Sequence, residues 1–206
     1  MAVFLLLYIR SFLAVRSVAF KPTIGQGDDP SMYTHESITL EGVDRAAAKF
    51  LTSRGIFNTS TTNPKDIVRE YFGSDAKGYK DYQERGREFA KAVMSVYRSY
   101  RMIPDYTVNS ERIREADSLV QTTRLEIAAI LSSEKLNNAS IELLVDKVGK
   151  CLMIIQSFYS NTNWIEINGG EISLNFGTLV PFDMDVVSPE TVTCRNCDDN
   201  VVNCAG

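Results

Sequence analysis

From Thr34 to Ser160 the apolar residues return every three or four positions, and capping residues or breakers divide the stretch into segments. That spacing puts side chains on one face of a helix of 3.6 residues per turn. It confines the chain to helices that bury one stripe each against their neighbours. Thr34 reads as an N-cap with Glu36 in the first turn; Ile38, Val43, Ala46, Ala47, Phe50 and Leu51 form the stripe, and Gly55 lies beyond the end. Asn63 caps a short second helix with Pro64 at its first position and Asp66 reaching back. Its buried stripe is Ile67, Val68, Tyr71 and Phe72, and Gly73 stops it. A third helix is predicted over 79–101 on Phe89, Val93, Val96, Tyr97 and Tyr100, with a break at Pro104. A fourth runs from near Ser110 to 133 on Ile113, Ala116, Leu119, Val120, Thr123, Ile127, Ile130 and Leu131. The fifth covers 140–160 on Ile141, Leu144, Val145, Val148, Leu152, Ile155 and Phe158. After Gly169-Gly170 the stripe stops, and 171–193 reads as irregular chain with a short strand or two. The expected fold is all-α: a bundle of about five helices followed by an irregular, disulfide-containing C-terminal tail.

The ends of the chain point to an oxidising compartment. Val3 to Ile9 are apolar, Phe12 to Val15 resume the run after Arg10, and Ser17-Val18-Ala19 supplies small residues for cleavage. Residues 1–19 read as a signal peptide, although Met1 has no basic residue beside it. The run falls short of the roughly 20 apolar residues of a stable membrane span. An N-terminal helix lying on a membrane surface is the other reading. The division expected is therefore 1–19 signal peptide, 20–170 helical domain and 171–206 tail. Cys194, Cys197 and Cys204 crowd the C-terminus, and Cys151 sits in a helical segment. All four are expected in disulfides, in any of three pairings. Zinc fits less well: Cys194-x-x-Cys197 is half a site, and only Cys204, Cys151 and His35 are left to complete it. Asn58-Thr59-Ser60 and Asn138-Ala139-Ser140 are sequons in polar segments, so Asn58 and Asn138 are candidate glycosylation sites.

Charge and histidine count narrow the chemistry. The net charge is −4. Loss of 1–19 removes Arg10 and Arg16 and no acid, which leaves −6. No basic surplus exists for nucleic acid, so no nucleic-acid partner is expected. Arg85, Arg87, Lys91, Arg98 and Arg101 share one helix, but Glu84 and Glu88 dilute them into a solvated face. His35 is the lone histidine, which excludes most metal-hydrolase and triad chemistry. Glu166, Asp183 and Asp185 read as solvated acids rather than calcium ligands.

One segment is distinctive: Gly149-Lys150-Cys151-Leu152-Met153-Ile154-Ile155-Gln156-Ser157-Phe158-Tyr159-Ser160-Asn161-Thr162-Asn163-Trp164-Ile165-Glu166. It resembles a signature of the Het-C-like N-terminal region of von Willebrand factor A domain-containing protein 7 and its relatives. There the stretch reads Leu-Gly-x-x-Leu-His-x-x-Gln-Asp-Phe-Tyr-Ser-His-Ser-Asn-Trp-Val-Glu. Gly149, Leu152, Gln156, Phe158, Tyr159, Ser160, Asn163, Trp164 and Glu166 match. Thr34 to Thr39, Phe20 to Thr23, Ser188-Pro189 and Thr193-Cys194-x-x-Cys197 are similar to further pieces of it, in the same order.

The resemblance implies a fold related to helical zinc-dependent phospholipases C and single-strand nucleases. In those, histidines and aspartates between helices hold metals that lower the pKa of a bound water for phosphoester hydrolysis. This chain has Met153, Ser157 and Asn161 where the signature has histidine, aspartate and histidine. It has Met102-Ile103-Pro104-Asp105-Tyr106 in place of a His-Phe-Asp element. His35 survives, with Asp105 and Glu166 as weak residual candidates. The resemblance therefore implies no cofactor, with zinc as the alternative, and a degenerate cleft at Met153, Ser157, Asn161 and Trp164. The expected function is a secreted, non-catalytic module that binds an unknown extracellular protein. The alternative is a residual metal-dependent phosphoesterase of phospholipase C or nuclease type.

Overall fold

The computed structural model describes residues 33–73, 76–133 and 136–182. The predicted leader, Asp183, Asp185, Cys194, Cys197 and Cys204 lie outside the described residues. The chain forms α1 (His35–Ser53), α2 (Pro64–Phe72), α3 (Lys77–Tyr100), α4 (Pro104–Thr107), α5 (Ile113–Leu131), α6 (Asn138–Asn161) and α7 (Trp164–Ile167). No strand occurs among the described residues, so the all-α expectation holds.

The helix starts follow from local chemistry. Thr34 caps α1 by accepting the Ser37 amide, and the Ser37 hydroxyl accepts the Thr34 amide in return. Asn63 caps α2 by accepting the Lys65 amide at 3.0 Å. Asp66 does not reach back as expected; it faces Arg69, and Thr61 accepts the Asn63 amide. Asn137 caps α6 through the Ser140 amide. The start of α5 falls three residues later than the pattern suggests. Val108, Ser110 and Glu111 take positive φ of 53°, 56° and 59°, a left-handed turn that helical periodicity does not register. Asp105 on α4 then grips Arg112 at the head of α5, with the Arg112 Nε 2.7 Å from its carboxylate.

α6 is the central helix. It packs against α3, α5 and α4, while α1 packs on α3 and α2 closes on α1. Its C-terminal half is buried all round, from Val148 to Tyr159 save for Lys150 and Ile155. Gly149 permits a close crossing: a Cβ there would fall 2.6 Å from the Ala92 Cβ of α3. A second, smaller core joins Ala48 and Leu51 of α1 to Ile67 and Val68 of α2 and Tyr79 of α3.

Residues 171–182 are irregular, as the sequence suggests, yet they belong to the main core. Phe176 stacks on Phe158 with centroids 4.1 Å apart, and Phe182 joins the same aromatic cluster. The sequence pattern hides this because one buried aromatic in a loop has no periodicity.

Candidate functional site

α1 and α6 meet through a buried polar circuit. The His35 Nδ1 lies 2.6 Å from the Gln156 Oε1, and the Gln156 amide nitrogen donates to the Thr39 hydroxyl at 3.0 Å. The Thr39 hydroxyl donates its one hydrogen to the His35 carbonyl at 2.6 Å. That commits Thr39 to accept from Gln156, so Gln156 presents its carbonyl to the imidazole. His35 therefore carries its proton on Nδ1. The three residues are at most 4% exposed. Burial holds the imidazole pKa below its ordinary value of 6.5, partly offset by the Gln156 bond. Tyr97 of α3 packs on the ring at 5.7 Å.

The residues expected to line a degenerate cleft are packed or tied. Met153 and Ser157 are each 1% exposed, on the inner face of α6. Asn161 donates to the Thr107 carbonyl at 2.7 Å and accepts from Ser160. The Trp164 indole donates to the Glu171 carbonyl at 2.8 Å, and its ring packs on Phe158 and Phe182. Asp105 is engaged by Arg112 rather than aligned with His35. Glu166 lies on α7, and its side chain is outside the described set. Among the described residues no three His, Cys, Asp or Glu side chains converge as metal ligands. A thioether, a hydroxyl, a committed amide and one imidazole are a poor set for zinc. The residues present do not fit the implied metal cluster.

The other expected sites fall as follows. Asn58 and Asn138 are exposed. Cys151 is a free thiol with no exposed surface, its Sγ 3.9 Å from the Val120 carbonyl; the cysteines expected to pair with it lie outside the described residues. Burial pushes its pKa up to about 12, which leaves it unreactive. On α3, Glu88 pairs with Arg85, and Arg87, Lys91 and Arg98 are exposed, as is Arg101 at its C-cap.

Two features escaped the sequence. Gln156 partners both His35 and Thr39 across more than a hundred residues; the signal available was a glutamine inside an apolar helix face. The other is the anchoring of 171–182. Asp117 accepts the Gly177 amide, Arg124 donates to the Gly177 carbonyl, and the Tyr159 hydroxyl accepts the Ser173 amide.

Comparison with known families gives one result. The sequence model of the VWA7 N-terminal domain matches residues 71–206, more than half of the chain, so the chain belongs to that family. No curated protein and no solved structure matches it.

Proposed function

We propose that this chain is a secreted, non-catalytic helical domain of the VWA7 N-terminal type that acts by binding an extracellular protein. Its scaffold is that of the Het-C-like and zinc-dependent phospholipase C group with the metal site replaced. The observation that supports this best is that no ligand cluster forms at His35: among the described residues no three His, Cys, Asp or Glu side chains converge. The chain's one histidine has its Nδ1 engaged by a glutamine, which leaves at most one ring nitrogen for a metal, and the neighbouring ligand positions hold Met153 and Ser157. A single imidazole beside a thioether and a hydroxyl neither holds zinc well nor lets it activate a water. The two exposed sequons, the apolar leader and the cysteines near the C-terminus support secretion. No described helix is long and apolar enough to cross a membrane.

Expression of the full chain in a eukaryotic secretory host tests the localisation. The account expects protein in the medium that begins at Phe20 and loses the mass of two N-glycans on enzymatic deglycosylation. Retention in the cell with Met1 intact and no glycan at Asn58 or Asn138 contradicts it.

A further inference from the structure

A cavity of about 330 Å³ opens between α1, α2 and α3, on the face of α1 next to the one that carries His35 and Thr39. That volume suits a small molecule. Leu40, Val43 and Gly86 make its apolar part, Asp44, Lys65 and Tyr82 give it charge and polarity, and an exposed acid and base, Glu36 and Arg87, add one charge of each sign. Gly86 is buried in the middle of a 24-residue helix, where glycine is a poor helix former. A Cβ at Gly86 would meet Leu40 and Val43 at 3.6 and 3.8 Å, which is ordinary contact. Close helix packing therefore does not demand glycine here, and its effect is to keep the cavity open.

The charges face one another without closing. The Asp44 Oδ1 accepts the Tyr82 hydroxyl at 2.9 Å, which fixes the carboxylate. Burial raises the Asp44 pKa, and Lys65 acts on it through space in the opposite direction. Among the described residues neither Asp44 nor Lys65 has an ion-pair partner within 4.0 Å, whereas the nearby pairs Glu41–Arg45 and Asp66–Arg69 are closed. A half-buried carboxylate without a cation is under-solvated and gains from an ammonium. A simple amine would meet Asp44 but be repelled by Lys65. A simple acid meets the reverse. A molecule with both charges on neighbouring atoms satisfies both.

We propose that this cavity binds an α-amino acid with an apolar side chain: the ammonium on Asp44, the carboxylate on Lys65, and the side chain over Gly86 between Leu40 and Val43. The site goes beyond the binding role proposed above and is independent of secretion. The test is an NMR titration of the whole chain with L-leucine, followed on backbone amides. Expected are saturable shifts centred on Leu40, Asp44 and Gly86. Isopentylamine and 4-methylpentanoate, which lack one charge each, should bind at least about tenfold more weakly. Asp44→Asn, which keeps the Tyr82 bond, and Lys65→Gln, on an exposed side chain, should each weaken leucine by about tenfold or more. Should Asp44→Asn not fold, Lys65→Gln carries the same test. No saturable shift up to about 10 mM overturns the proposal. So does amine binding as tight as leucine, or binding that survives Lys65→Gln.

Discussion

Gln156 decides what His35 can do. It sits in the apolar run of α6, receives the imidazole proton and hands its own amide to Thr39. Replacing it with leucine leaves the Nδ1–H and the Thr39 oxygen without their partner in a buried setting. Gln156→Leu should therefore cost about 1–3 kcal/mol, read as a lower denaturation midpoint with unchanged slope. The same residue scale sets a pH dependence. The unfolded imidazole titrates near 6.5, and burial places the folded value below that. Between the two values the unfolded chain binds more protons, so His35 removes stability as pH falls below about 6.5. Other groups titrate in the same range, so the difference between native chain and His35→Gln isolates this share. The native chain should lose more stability than His35→Gln between about pH 7.5 and 5.5. Equal losses would show that the imidazole is not held neutral by the fold.

At the scale of elements, the helices were legible and their long-range partners were not. Ile67, Val68, Val93, Val96, Val120 and Ile127 announce themselves by spacing, and all are buried. The α5 start was misplaced because Val108 to Glu111 form a left-handed turn, and such turns are marked by φ rather than by hydropathy. The pairing of His35 with Gln156 and the free burial of Cys151 are tertiary facts that no local pattern encodes. Residues 171–182 show the same limit. They read as tail because they lack a stripe, yet Gly177 is held by Asp117 and Arg124 of α5. Gly177 has φ of 69°, and a Cβ there would lie 2.4 Å from the Val120 Cγ1. Gly177→Ala meets both a left-handed penalty and a clash with a core residue. It should detach this segment while the bundle persists. Hydrogen exchange at the Ser173 and Gly177 amides should then accelerate by about tenfold or more, with α3 and α6 amides much less affected. Uniform acceleration throughout would show instead that the segment and the bundle unfold as one.

For the whole molecule, the chemistry turns on which groups surround His35. The match to the VWA7 N-terminal domain covers residues 71–206, and the described chain is a helical bundle centred on α6. Membership was legible in the stretch from Gly149 to Glu166, where aromatic and polar residues fall at fixed intervals. Met153, Ser157 and Asn161, which stand where the resemblance implies metal ligands, are read directly too. What surrounds His35 was not legible, since Gln156, Thr39 and Tyr97 come from three different helices. The central claim is that this arrangement holds no catalytic metal. Elemental analysis of the full chain, purified without chelator and dialysed against zinc-containing buffer, tests it most directly. The account predicts well under about 0.1 zinc per chain, unchanged in His35→Ala. About one zinc or more per chain, lost on His35→Ala, would contradict it and make phosphoesterase assay the next step.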